Sequence, residues 1–231
     1  MDDSSQSLEN QLLETWLGVS RSQALQLVAP KEPLWKISKW NQELGASILE
    51  DVSHVELALR NLLDSALVER LANQGFCGSW LDDPSGEIRN LGGAHLLEKI
   101  KSAKLQVVRD KPRVTHEDVL AELTLGFWTA LLGKRFLRLN LDLRGIFLGV
   151  NGRSISALGD RLARIKALRN RIAHQHRILH RNLQDDFDLV IMVANDIDRR
   201  LADFIRKNSR TPEILIRITQ AKSFSKPHEP H

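Results

Sequence analysis

In 231 residues the chain has one cysteine, two methionines and no tyrosine. A lone thiol, Cys77, rules out an internal disulfide framework and any zinc site built on paired cysteines, and it fits a reducing compartment. Nothing around it marks an activated thiolate, so Cys77 reads as a loop or core residue rather than a nucleophile. No stretch approaches the roughly 18 uninterrupted apolar residues that a membrane span needs. The polar, acidic opening MDDSSQSLEN has neither the basic n-region nor the apolar h-region of a secretory signal. These absences give the expectation of a cytoplasmic protein with no membrane partner. Also missing are a glycine-rich phosphate loop ending in Lys-Ser/Thr and a Gly-x-Ser-x-Gly elbow, which leaves nucleotide hydrolysis and serine hydrolysis unsupported. No solenoid-period repeat and no internal Pro/Gly/Ser-rich linker interrupts the chain. One domain is therefore expected over residues 1–220, with a disordered tail over 221–231.

What the chain does have is an apolar fraction of 42%, ample for a core, and a formal net charge of +4. Basic residues gather in Arg161–Arg181, RLARIKALRNRIAHQHRILHR, which holds seven Lys or Arg, three of the eight histidines and no acid. Such a stretch favours a polyanionic partner. At about 100° per residue, Leu158, Leu162, Ile165, Leu168, Ile172 and Leu179 form an apolar stripe that only Gln175 interrupts. Asn170, His174, Arg177 and Arg181 then share the other side of a helix continued through the stretch. Arginine offers phosphate a planar, permanently charged fork, and histidine moves protons near neutral pH. Arg169 stands about 140° from His174 around an ideal helix. The two meet on one phosphate only if the arginine stem bends round, the helix is irregular, or a second subunit completes the site. Taken alone, a basic helix is more often a solvated face than an active site. His174, His176 and His180 have no nearby acid to complete a ligand set, so neither metal nor cofactor is expected.

The block Leu168-Arg169-Asn170-Arg171-Ile172-Ala173-His174 follows three others in the chain. These are Trp40-Asn41, His54-Val55-Glu56-Leu57-Ala58-Leu59-Arg60-Asn61 and Leu123-Thr124-Leu125-Gly126-Phe127-Trp128-Thr129-Ala130-Leu131-Leu132. In content and order the four resemble the Abi-like (abortive infection) branch of the HEPN superfamily, over about residues 34–215. The resemblance implies an all-α fold, a HEPN-like helical bundle with long antiparallel helices, here carrying extra N-terminal helices. It implies a metal-independent endoribonuclease acting on RNA as a homodimer, with two signatures facing each other. It also implies a role in growth arrest or phage defence, restrained by an RNA or protein antitoxin.

In that reading the 2′-hydroxyl of RNA attacks the adjacent phosphate, leaving a 2′,3′-cyclic phosphate and a 5′-hydroxyl. His174 does the acid–base work and Arg169 stabilises the charge that builds on the phosphorane oxygens. Asn170 orients the phosphate or His174. Arg171, Arg177 and Arg181 hold the RNA backbone, His176 supports the site, and Glu56 and Arg60 frame it. One departure is visible: Gln175-His176-Arg177 follows the motif histidine where family members commonly carry a second His and then an acid or Ser. The alternative is a non-catalytic HEPN module that binds RNA or a protein. A purely structural helical dimer is the third reading.

In chain order, residues 6–29 read as two short helices broken at Gly18, with Leu8, Leu12 and Trp16 on one face and Ser20 capping the second. Leu34 to Asn73 is one long helix, bent at Gly45. Glu56 and Arg60, four apart, are placed for a helical ion pair. Gln74–Gly86 is a loop anchored by Trp80. A helix starting at Glu87 or Ala94 runs to Val108. Thr115 and Asp118 make a capping-box signal for a helix running to Leu132. Gly133–Ile155 has a strand-like alternation at Leu137, Leu139, Leu141 and Leu143 but no partner strand, and is read as an irregular crossover with a turn at Asn151-Gly152. Ser154 or Ser156 opens the signature helix. Leu189, Val193, Ile197, Leu201 and Ile205 predict one closing helix, and Thr211-Pro212 starts a last short one to about Gln220.

Overall fold

The computed structural model describes residues 3–91, 93–136, 143–147 and 155–224. Among them are eleven α-helices, three short 3-10 turns and no strand, so the chain is all-α. Leu137, Leu139 and Leu141, the Asn151-Gly152 turn, Ser154 and residues 225–231 lie outside the described residues. The chain divides into two compact units.

The first unit draws on Met1–Val52, Ala167–Val190 and Arg206–His231. It contains α1 (Asp3–Leu17), α2 (Val19–Gln26), the first part of α3 (Leu34–Asn73) and α11 (Thr211–Phe224). Gly18, with φ 79°, breaks α1 from α2 and takes the N-cap position itself, so Ser20 sits inside the first turn of α2 rather than capping it. The Leu8–Leu12–Trp16 face does not enter the core. These residues are 59%, 42% and 73% exposed. In α3, Ile37, Trp40, Leu44, Ile48 and Val52 are buried at the spacing the sequence shows. The helix continues through Gly45, and the reason for the glycine is close approach: a Cβ there would lie 3.0 Å from Ile172 Cγ2. Buried Asp51 accepts hydrogen bonds from Ser209 Oγ and Thr211 Oγ1, both at 2.7 Å. That ties the start of α11 to α3. The last helix runs to Phe224, so residues 221–224 are helical rather than part of a tail.

The second unit draws on Ser53–Lys166 and Ile191–Ile205. The rest of α3 ends in a left-handed Gly75 with φ 79°. Trp80, 4% exposed, anchors the following loop as expected, donating its indole N–H to Asp64 Oδ1 at 2.7 Å. Two helices replace the single one expected next, α4 (Glu87–Asn90) and α5 (Ala94–Asp110). Gly93 lies between them, where a Cβ would clash with the Ile88 carbonyl at 2.6 Å. The Thr115–Asp118 capping box forms in full and opens α6 (His116–Glu122).

Two helices predicted to be continuous are broken. Leu123 and Thr124 are extended (ψ 116° and 166°), separating α6 from α7 (Leu125–Leu131). Asp198 separates α9 (Leu183–Ile197) from α10 (Arg199–Asn208), its carboxylate accepting the Arg200 N–H at 2.8 Å. In both places the apolar spacing carries on while a carboxylate captures an N–H in the first turn of the next helix, that of Leu125 by Glu56 and that of Arg200 by Asp198. The first part of α8 (Ile155–Ala173) packs through Leu158, Leu162 and Ile165. Beside them Arg161 pairs with fully buried Asp196.

Candidate functional site

The basic stretch is not one helix. Leu168 and Ile172 are buried on the inner face of α8, but the helix stops at Ala173. The His174 N–H still donates to the Asn170 carbonyl at 3.0 Å; the Gln175 N–H then reaches Ile172 O and the His176 N–H reaches Arg171 O, both at 2.8 Å. This pair of backward bonds is a Schellman closure, whose C′ residue must be left-handed. Gln175, with φ 56°, fills that position. The same closure ends α3, where Phe76 N–H reaches Leu71 O at 3.2 Å and Gly75 N–H reaches Ala72 O at 2.9 Å, with glycine in the strained place.

The closure changes the predicted face. Asn170 and His174 remain one helical turn apart. Arg177 and Arg181 lie in the non-helical segment beyond, so the four do not share a helix face. His176 and His180 are likewise not a turn apart on a helix. Leu179 is buried, 3% exposed, but a loop carries it there.

That loop is held at several points. Asn41 Oδ1 on α3 accepts the Ile178 N–H at 2.9 Å. Arg177 Nη1 donates to the Ala24 carbonyl on α2, and Arg171 Nη2 donates to the Arg177 carbonyl at 3.4 Å. Arg181 grips buried Asp186 with two bonds of 2.6 and 2.7 Å, which raises the guanidinium pKa further. Three arginines assigned to RNA from the sequence thus each spend at least one donor inside the protein. Arg169 is half-buried, while Asn170, His174, Gln175, His176 and His180 are exposed. The His174 and His176 rings stand 6.4 Å apart, edge to face. Loss of part of its hydration to the neighbouring protein, followed by the positive charges of Arg177, Arg171 and Arg181, pushes His180 below its ordinary pKa, with Asp186 pulling the other way.

Glu56 and Arg60 belong to the second unit. Their expected ion pair gives way to other contacts. The Glu56 carboxylate accepts the Leu125 N–H and so holds the first residue of α7, while Arg60 Nε donates to Asn61 Oδ1 at 3.4 Å. Asn41 and Glu56 therefore do related jobs: each stands off the apolar stripe of α3 and captures a backbone N–H from a distant segment, the loop after α8 for Asn41 and the start of α7 for Glu56. Asn41 had no role assigned from the sequence. The signal was its polar side chain beside buried Trp40.

The second unit also holds a Ser–His–Asp chain, with Ser79 Oγ 2.7 Å from His116 Nδ1 and His116 Nε2 2.8 Å from Asp64 Oδ1. It resembles a hydrolytic triad only in composition. The Ser79 hydroxyl accepts the Leu81 N–H at 3.1 Å as a cap, and Asp64 also carries the Trp80 indole. The chain clasps the Trp80 loop and the start of α6 to α3. Among the described residues no group of three or more His, Cys, Asp or Glu is placed to hold a metal ion. No helix among them is long and apolar enough to cross a membrane. Comparisons with protein-family models, with curated proteins and with solved structures give no match.

Proposed function

We propose that the protein is a metal-independent endoribonuclease of the HEPN type, an Abi-like toxin or phage-defence effector that cleaves RNA through its own 2′-hydroxyl. The observation that carries the reading is the position of His174. It is exposed at the tip of α8, one turn after exposed Asn170, within a 21-residue stretch that holds no acid. An imidazole so placed is open to a phosphodiester and is flanked by cations that favour the anion. Arg169 supplies the charge that stabilises the phosphorane oxygens. His174 moves the proton to or from the 2′-oxygen and the leaving 5′-oxygen. Asn170 orients the phosphate.

Arg169 and His174 come from two copies of the chain in this proposal, because five residues of helix turn them apart. A homodimer therefore carries two composite sites. Restraint by an RNA or protein antitoxin belongs to the same reading.

The test is incubation of purified protein with labelled single-stranded RNA and a tRNA pool in EDTA. Cleavage to cyclic-phosphate ends is expected, reduced at least about 100-fold in His174→Ala and in Arg169→Ala, the scale of general acid–base catalysis. Mixing the two inactive variants is expected to restore about a quarter of wild-type activity, since half the dimers are mixed and each has one intact composite site. No recovery in mixtures shown to exchange subunits would refute the shared site. No cleavage, with salt-sensitive RNA binding retained, would instead indicate a non-catalytic RNA-binding module.

A further inference from the structure

The first unit contains an open cleft of about 570 Å³ between α2 and the loop that follows α8. Leu17, Gly18, Val19, Ser20, Arg21 and Ala24 form one wall; Arg171, His176 and Arg177 form the other. Three arginines and a histidine are among these lining residues, and no Asp or Glu is. Arg21 is exposed on α2, and no ion pair involving it is found among the described residues. On the opposite wall Arg171 Nε is buried without a hydrogen-bond partner. The walls are joined by the bond from Arg177 to the Ala24 carbonyl, and Arg171 donates to the Arg177 carbonyl, so these two cations are set in place by the fold. Bringing like charges together is costly unless an anion offsets them. The space suits a nucleotide unit better than a bare ion.

We propose that this cleft seats a backbone phosphate of the RNA strand, one flanking the phosphate that is cut, with Arg21 as a contact that the signature does not contain. His176 lines the cleft and its ring lies 6.4 Å from that of His174, so a strand held there passes the tip of α8. The assignment rests on the nuclease reading for which phosphate is cut, whereas the charge of the cleft does not depend on it. The N-terminal helices then become part of the substrate surface.

The test uses the full chain and a labelled single-stranded 2′-O-methyl RNA, which binds but offers no free 2′-hydroxyl. Anisotropy is followed from about 50 to about 300 mM salt for wild type, Arg21→Ala and Ser20→Asp, with circular dichroism as the folding control. Ser20→Asp separates folding from binding, because an acid in the first turn favours α2 while it places a negative charge in the cleft. Arg21→Ala is expected to weaken binding about fivefold at the lowest salt and to reduce the log–log salt slope by about 0.7, one phosphate contact on a single strand. Ser20→Asp is expected to weaken binding at least as much. Wild-type affinity and slope in both folded variants would overturn the proposal, whether or not the wild type cuts RNA. Weakened binding in both, from a protein that cuts no RNA, would keep the anion seat and remove the nuclease reading alone.

Discussion

At the scale of single residues, Gln175 and Asn41 decide where His174 and His176 stand. A residue with a Cβ in the left-handed region costs roughly 1–2 kcal/mol, and glycine relieves it at some cost in unfolded-chain entropy. Gln175→Gly is expected to stabilise the protein by about 0.5–1 kcal/mol in urea unfolding; a loss of stability would mean that the amide makes a compensating contact. Asn41→Ala removes the acceptor for the Ile178 N–H and is expected to cost about 1–3 kcal/mol, the penalty of a stranded donor. Asn41→Asp keeps an acceptor at that point and should recover most of the loss. Equal destabilisation by both would show that packing, not the hydrogen bond, is what Asn41 provides. In the sequence, residue type and spacing made His174 and Arg169 candidates, and the resemblance of the block around them gave them their proposed roles. The sequence did not reveal the Gln175 turn, because glycine is the usual written signal for that geometry and glutamine stands in its place.

At the scale of elements, the long apolar periodicities and the Thr115–Asp118 capping box were readable, and the breaks were not. Leu34–Asn73 and Thr115–Asp118 follow from spacing and capping chemistry that lie within a few residues of each other. The gap between α6 and α7 is set by a carboxylate far away in the chain, Glu56, taking the Leu125 N–H. No local signal announces such a contact. Glu56→Ala is therefore expected to cost about 1–2 kcal/mol, as loss of a helix cap does, and to raise amide exchange at the start of α7; unchanged exchange there would refute the role. The loop after α8 has its own pH signature. His180 is held below the usual imidazole value of 6.5, so the folded state favours its neutral form. The corresponding stability is full above about pH 6.5 and is lost as pH falls through the lowered folded value. His180→Gln should flatten the dependence of unfolding free energy on pH below that point, and an unaltered slope would assign the pH effect elsewhere.

At the scale of the whole molecule, four helices matter more than their cores suggest. Each of α3, α8, α9 and α10 contributes residues to both compact units, the divisions falling after Val52, Lys166, Val190 and Ile205, within the helices. A helix propagates far more easily than it nucleates, so melting one half of such a segment exposes a costly new end in the other. The two units should accordingly lose structure in one cooperative transition. The tryptophans report on this without any labelling: Trp16, Trp35 and Trp40 lie in the first unit, Trp80 and Trp128 in the second. With no tyrosine to add emission, replacing Trp80 and Trp128 together by Phe leaves the emission of the first unit alone, and replacing Trp16, Trp35 and Trp40 leaves that of the second. Coincident urea midpoints from both records and from circular dichroism would establish one folding unit. Separated midpoints would mean that the shared helices can fray from the middle, and that the segment around His174 can unfold while the Asp64–His116 clasp stays shut.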